Sequence, residues 1–268
     1  MKVVACIIAR TVSKRLPLKV LRDLIKGVSM IDFLVQRIKK VSEIDEIYIC
    51  TSINIVDDIL EDVAIRNDIK IYRGSEDEVI ERMISVGDLE QADVLLRITG
   101  DNPLTSIEYF PNQIKLLIEN DLDYVRIVDV PIGASAEVIS LIALKDCYSK
   151  MDTSVSEYLM LFLFDPDKYK CGVIKVFNDD YSNYSVTVDS PDDLQRTRSL
   201  LRLLKGKELL LKDIVKIYKN DSNNFLPVKT FSSTVEVKLP YDKKVLFEEF
   251  KKDMLRRAND SKKINLYD

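Results

Sequence analysis

The residues best suited to chemistry lie at the front of the 268-residue chain. An apolar run from Val3 to Ala9 empties there into Arg10-Thr-Val-Ser13-Lys14-Arg15-Leu16-Pro17-Leu-Lys19. Four cations and a hydroxyl in a loop stiffened by one proline suit a polyanionic phosphate ligand. The ring of Pro17 fixes its backbone, so Arg15 and Lys19 lose less entropy on holding a phosphate. On charge alone the loop is equally a solvated basic turn. Its position favours the ligand: it follows what reads as the first strand of a parallel α/β sheet, and such sheets bind ligands at the carboxyl ends of their strands.

Two carboxylates stand at comparable places. Asp101 follows an apolar run in Arg97-Ile-Thr-Gly100-Asp101-Asn102-Pro103-Leu104, and Asp189 follows another in Thr187-Val-Asp189-Ser-Pro191-Asp-Asp193-Leu194. Either alone reads as a turn aspartate bonded to its own loop. Two at one sheet edge, facing a basic loop, suit a Mg²⁺ ion. The chain has no histidine, which excludes Ser-His and Cys-His nucleophilic machinery, histidine bases and histidine zinc sites together. Cys6, Cys50, Cys147 and Cys171 are isolated, with no C-x-x-C spacing, and read as buried apolar thiols.

The elements that must position these groups alternate along the chain. Val3 to Ala9, Glu46 to Cys50, Ile69 to Tyr72 and Asp93 to Ile98 read as strands. Met30 to Val41, Val56 to Asn67, Asp77 to Val86 and Ile107 to Asn120 carry apolar residues at helical spacing. This alternation predicts an α/β fold, a mostly parallel Rossmann-like sheet flanked by helices. Further on, strands are expected at Tyr124 to Val128, Glu137 to Ile139, Gly172 to Phe177 and Tyr184 to Val188. Helices are expected at Leu141 to Lys150, Val155 to Phe164, Pro191 to Leu204 and Leu211 to Lys219. A polar cluster at Asp221 to Asn224 suggests a boundary, giving a main domain over 1–220 and a C-terminal extension over 221–268. That extension reads as a short strand, Thr234 to Leu239, and an amphipathic helix from Asp242 to Ala258.

Composition narrows the partners. A net charge of -4 argues against a general nucleic-acid binder, so local cations in an acidic chain point to a small anionic ligand. No apolar run is long enough to span a membrane, and no signal-peptide pattern follows Lys2; the expected compartment is the cytoplasm. No G-x-G-x-x-G follows the first strand, which disfavours a dinucleotide oxidoreductase.

Taken in order, the motifs resemble a known family. Arg10-x-x-Ser13-x-Arg15-Leu16-Pro17-x-Lys19, Thr51-Ser52, Arg73-Gly74-Ser75 with Asp77, Arg97-x-x-Gly100-Asp101-Asn102-Pro103-Leu104, Gly133 with Glu137-Val138, and Val188-Asp189-x-Pro191-x-Asp193-Leu194 look like the cytidylyltransferases. The likeness is to CMP-sugar synthetases of the acylneuraminate and 3-deoxy-manno-octulosonate type, most closely the spore-coat polysaccharide branch, and it spans residues 1 to 220.

The resemblance implies a nucleotide-diphospho-sugar transferase fold and transfer of CMP from CTP to a sugar hydroxyl, with a nonulosonic or related sugar acid as acceptor and a homodimer as the assembly. It assigns the triphosphate to Arg10, Arg15 and Lys19, Mg²⁺ to Asp101 and Asp189, and the rest of the nucleotide to Ala9, Ser13, Thr51, Ser52, Arg97 and Gly100. Arg73, Ser75, Asp77, Asn102, Glu137 and Glu157 fall on the acceptor side. The chemistry agrees: charge builds on phosphate oxygens and on departing pyrophosphate, so fixed cations and a metal matter more than covalent machinery. The chain departs from the family at several points. Ile8 replaces a common Gln, Val12 a usual Gly or Ala, and Leu18 a frequent Gly. Ser156-Glu157-Tyr158 stands where the spore-coat branch has Arg-Glu-His, so the Arg that meets an anionic sugar is missing there and Glu157 suits an amino or neutral substituent. These departures leave open an alternative: a degenerate member that binds a nucleotide or a partner without turnover.

Overall fold

The computed structural model describes residues 1–205, 207–220 and 229–267; the expected boundary at Asp221 to Asn224 lies outside them. The first half alternates as its periodicity requires. Strand β1 (Val3–Ile8) leads through a hairpin, β2 (Asp23–Ile25) and β3 (Val28–Ser29), to α1 (Met30–Ile38). Then come β4 (Glu46–Ser52), α2 (Ile59–Arg66), β5 (Lys70–Gly74), α3 (Val79–Glu90), β6 (Val94–Thr99) and α4 (Phe110–Glu119). The second half runs β7 (Tyr124–Val128), β8 (Glu137–Ser140), α5 (Leu141–Lys150), α6 (Leu159–Leu163), β9 (Cys171–Lys175), β10 (Tyr184–Ser185), α7 (Pro191–Leu203) and α8 (Leu211–Asn220). It closes with β11 (Lys229–Thr230), β12 (Glu236–Lys238), β13 (Lys244–Leu246), α9 (Phe247–Asn259) and β14 (Lys262–Asn265).

Eight strands form one sheet in the order β14-β9-β7-β8-β6-β1-β4-β5. All pairings in it are parallel except those of β8, which runs antiparallel to both β6 and β7. Side chains of β1 alternate between two core layers. Val3, Ala5 and Ile7 pack with α1, α2 and α4, while Val4 and Cys6 pack with α3 and α5. Burial on both faces is what its unbroken apolar run demands. The four cysteines are buried and free.

Several boundaries differ from expectation for local reasons. Tyr241 and Asp242 adopt positive φ, 59° and 55°, turning the chain so that Lys244–Leu246 pairs back on Glu236–Lys238. The last helix therefore starts at Phe247 rather than Asp242. Only Tyr184–Ser185 of the expected Tyr184-to-Val188 strand pairs, with Lys229–Thr230. The expected Val155-to-Phe164 helix is a tight 3₁₀ stretch over Thr153–Tyr158 followed by α6. Helix α7 begins where its sequence says: the Ser190 hydroxyl accepts from the Asp193 N–H, Asp193 reciprocates, and Pro191 opens the first turn. The C-terminal residues join the main body, since β14 pairs with β9 and Ala258 lies in the same core layer as Leu163 and Phe164.

Candidate active site

The basic loop leaves β1 between the ends of β4 and β6, in the middle of the sheet. Gly100 makes the approach possible: its N–H donates to the Ile8 carbonyl at 2.8 Å, and a Cβ there would lie 3.0 Å from that of Ala9. The next anchor is Asp57, which sequence reasoning did not single out. Its carboxylate accepts from the Thr11 N–H at 2.7 Å, the Thr11 hydroxyl at 2.7 Å and the Ser52 hydroxyl at 2.5 Å. Burial opposes the Asp57 charge, but these donors outweigh it and hold its pKa below the ordinary carboxylate value. Loop closure comes from the Leu18 N–H donating to the Thr11 carbonyl at 3.2 Å. Leu18 itself is left-handed, with φ 55°, the conformation a glycine adopts without strain.

Closure delivers Lys19 to the two carboxylates. Its ammonium donates to Asp101 Oδ2 at 2.6 Å and to Asp189 Oδ1 at 3.0 Å, so these oxygens lie within about 6 Å of each other, close enough to share a cation at about 2.1 Å per bond with one bridging water. Arg15 reaches the same Asp189 oxygen at 3.3 Å. Burial works against the Lys19 charge, yet the two aspartates raise its pKa above the ordinary lysine value. The aspartates are held by backbone. The Val188 N–H donates to the Asp101 carbonyl at 3.0 Å. Asp193 accepts from the N–H groups of Asp189 and Ser190, both at 3.1 Å, while its other oxygen receives Arg196 at 2.6 Å.

Arg15, Lys19 and Asp101 line a cavity of about 620 Å³, together with Ala9, Arg10, Ser13, Ser52, Asp77, Arg97 and Glu157; Asp189 is tied to its wall through Lys19 and Arg15. Thr51 is fully buried behind it. Arg10 reaches Glu76 at 3.4 Å across the rim, and the Val12 side chain also faces the cavity. Arg82 of α3 is a further member, missed because a single arginine in an amphipathic helix carries no signal. It is buried, donates to the Cys50 carbonyl at 3.3 Å, and has no ion pair among the described residues; burial pushes its pKa down. Arg73 and Ser75 line neither this cavity nor the one adjoining it. Arg73 is bound to Asp58 at 2.6 Å and Glu61 at 2.5 Å, and its Nε donates to the Ser52 carbonyl at 3.1 Å.

A second cavity, about 640 Å³, adjoins the first through Arg97, Thr99, Glu157 and Tyr158. Asn102, Glu137 and Glu157 line it. Glu137 is committed to Arg97 on one oxygen and to the Tyr124 hydroxyl, at 2.8 Å, on the other. Burial and then Glu137 push the Tyr124 hydroxyl well up, so it stays a donor. The Asn102 amide donates to the Thr99 hydroxyl, and its carbonyl oxygen is buried without a hydrogen-bond partner.

A mostly parallel sheet carrying a cationic loop and paired aspartates at its carboxyl edge defines the class: the Rossmann-like fold of the nucleotide-sugar nucleotidyltransferases. Solved structures agree on the fold. A cytidylyltransferase from Leptospira borgpetersenii superposes with a TM-score of 0.76 at 24% identity, covering 83% of this chain and 96% of that one. A CMP:2-keto-3-deoxy-manno-octonic acid synthetase complexed with CTP gives a TM-score of 0.60 at 18% identity, covering 76% and 99%. The cytidylyltransferase family model matches residues 4–170. The spore coat polysaccharide biosynthesis protein SpsF of Bacillus subtilis is 30% identical over 210 residues, 72% of this chain and 83% of that protein. An uncharacterised protein of Methanocaldococcus jannaschii is 37% identical over 148 residues, 55% of this chain and 60% of its own length. This chain belongs to the cytidylyltransferase family. Among the described residues no helix is long and apolar enough to cross a membrane.

Proposed function

We propose that the protein transfers CMP from CTP to a sugar hydroxyl, releasing pyrophosphate, to make a CMP-sugar for surface glycan synthesis. The observation that carries this reading is Lys19 seated between Asp101 and Asp189 at the mouth of the basic loop. In the reaction the hydroxyl oxygen releases its proton to water and bonds to the α-phosphorus, while the bond from that phosphorus to the bridging oxygen breaks and pyrophosphate leaves. Lys19, Arg10 and Arg15 neutralise charge on the departing pyrophosphate, and the buried Arg82 supplies a further guanidinium charge facing the same cavity. The relative named for spore-coat polysaccharide synthesis and the solved synthetase holding CTP support the choice of nucleotide and of a sugar-derived acceptor.

The donor set fits Mg²⁺. Two carboxylates converge where an ammonium already sits, and among the described residues no third metal-type side chain joins them. A hard cation held by one or two carboxylates with phosphate oxygens and water is the arrangement Mg²⁺ favours. Asp101 and Asp189 would hold it. When bound it would polarise the α-phosphate and lower the acceptor hydroxyl's pKa. The cytoplasm and a homodimer remain the proposed setting and assembly, the latter checked by light scattering.

The test is pyrophosphate release from CTP and Mg²⁺ with a panel of nonulosonic, octulosonic and amino sugars. Release dependent on one acceptor is expected, as is a larger rise in melting temperature with CTP than with ATP, GTP or UTP. Equal rises for all four nucleotides would remove the cytidylyl reading. CTP binding without turnover on any acceptor would favour the non-catalytic alternative.

A further inference from the structure

Lys14, Asp77, Arg82 and Glu157 line the first cavity without an ion pair among the described residues. Lys14, Asp77 and Glu157 are exposed, so water solvates their charges. Arg82 is 3% exposed and has no such supply. One of its Nη groups donates to the Cys50 carbonyl at 3.3 Å, an oxygen that also receives the Ala9 N–H at 3.3 Å. Its Nε is buried with no acceptor, and Nη2 has none among the described residues. The carboxylates whose charge reaches it are committed elsewhere, Asp57 to Thr11 and Ser52, and Glu81 to the Ser85 hydroxyl at 2.9 Å; Arg10 adds only a like charge. Arg82 enters from α3 and is fixed by packing. Its Cγ fills the space over Gly74, where a Cβ would lie 2.8 Å away, and the shared Cys50 carbonyl sets the guanidinium beside Ala9, at the root of the basic loop. The cavity wall there includes the apolar side chains of Ile8, Ala9 and Val79.

We propose that Arg82 reads the nucleotide base: its guanidinium donates to the N3 and O2 acceptors of cytosine and so sets the choice of CTP over UTP. The inference rests on the proposed function, because it needs CTP in this cavity. A buried guanidinium short of acceptors calls for a ligand that brings them, and apolar side chains around it suit a flat ring. Cytosine presents N3 and O2 side by side, which a fork of N–H groups matches. Uracil keeps O2 but carries a hydrogen on N3, so donor meets donor and one N–H loses its acceptor, the kind of mismatch that discriminates most strongly. A phosphate is the other acceptor a guanidinium suits. The loop already offers Arg10 and Arg15 for it, on exposed stems that can follow charge as it moves in the reaction, whereas a side chain locked against Gly74 suits a group that stays still. Ile8, where the family commonly has Gln, brings no polar group to this wall and leaves the task to Arg82.

The experiment is a thermodynamic cycle between protein and ligand. CTP, UTP and 3-deaza-CTP, which has C–H in place of N3, are titrated calorimetrically in Mg²⁺ into the full-length parent, Arg82→Met and Arg82→Lys. The parent is expected to bind CTP tighter than either other nucleotide by about tenfold or more, the scale of one charge-assisted hydrogen bond. In Arg82→Met, CTP should weaken by a similar factor while UTP and 3-deaza-CTP stay within about threefold of their parent values, so that the three converge. Arg82→Lys keeps the charge and most of the stem but not the fork, and should recover only part of the preference for CTP. A parent that prefers CTP to UTP yet binds 3-deaza-CTP as well as CTP would overturn the proposal. So would a preference for CTP that survives in either variant, including a uniform loss of all three nucleotides, which would assign Arg82 to the phosphates. If Arg82→Met fails to fold by circular dichroism, the parent and Arg82→Lys decide by the same comparison. A parent that binds CTP and UTP equally, or neither, would instead refute the cytidylyl reading, and the proposal with it.

Discussion

Asp57 offers the sharpest test of how the loop is built. Replacing it by alanine removes a buried carboxylate that receives three hydrogen bonds. The Thr11 hydroxyl keeps the Val56 carbonyl at 2.8 Å, but the Thr11 N–H and the Ser52 hydroxyl are stranded. An orphaned buried donor costs about 1–3 kcal/mol, so Asp57→Ala should lose about 3 kcal/mol in urea unfolding. Asp57→Asn keeps an oxygen for Thr11 and an amide that can donate to Ser52, and should lose only about 1 kcal/mol. The pH dependence separates charge from shape. Asp57 has a depressed pKa, so its charge stabilises the fold above the unfolded carboxylate pKa and that contribution disappears as pH falls through the folded value. The gap between parent and Asp57→Asn should therefore be full at neutral pH and close below about pH 4. CTP affinity should drop with loop order in Asp57→Ala. A variant within about 0.5 kcal/mol of the parent and binding CTP normally would refute Asp57 as the loop's anchor.

Three further outcomes follow from the same geometry. Lys19→Met leaves Asp101 and Asp189 facing each other without their shared ammonium, so the variant should melt lower and gain more from added Mg²⁺ than the parent does; equal Mg²⁺ responses in a thermal-shift assay would count against a shared cation site. Asp193 is buried, but Arg196 and the N-terminal donors of α7 overcome that burial and hold its pKa at about 2. Its charge should contribute about 2 kcal/mol above pH 4, lost between about pH 4 and pH 2, and an unchanged acid-unfolding profile in Asp193→Asn would exclude this. Leu18→Gly relieves a left-handed residue costing about 1–2 kcal/mol against a glycine entropy cost of about 0.5–1 kcal/mol, so the variant should unfold at slightly higher urea concentration; a drop in stability would show that the Leu18 side chain contributes more than its backbone strain costs.

The half of the sheet that surrounds the loop could be read directly from the chain because β1, β4 and β6 are buried on both faces and announce themselves as apolar runs between amphipathic helices. The convergence of Lys19, Asp101 and Asp189 was legible for the same reason: each follows a run that had to be interior. Strand β14 was not, since Lys262-Lys263-Ile264-Asn265 has one apolar residue and sits at an edge where nothing enforces alternation. The C-terminal helix was placed five residues early because the left-handed turn at Tyr241-Asp242 involves residue types that do not signal it. Asp57 and Arg82 were invisible as site residues for a more general reason. A buried carboxylate or guanidinium inside a helical segment looks like any polar residue on a helix face until tertiary packing shows what surrounds it. Arg73 matches a motif, and tertiary packing adds what no motif shows: its ion pairs with Asp58 and Glu61.

The most direct measurement of the shared site is a calorimetric titration of CTP into the parent, Asp101→Asn and Asp189→Asn, each in Mg²⁺ and in chelator. The expected result is tighter CTP binding in Mg²⁺ for the parent and loss of that Mg²⁺-dependent gain in both variants, with the folds intact by circular dichroism, because an amide keeps the shape but not the charge that holds a hard cation. Mg²⁺-independent CTP binding in the parent, or a full Mg²⁺ response in either variant, would contradict a single site built from Lys19, Asp101 and Asp189.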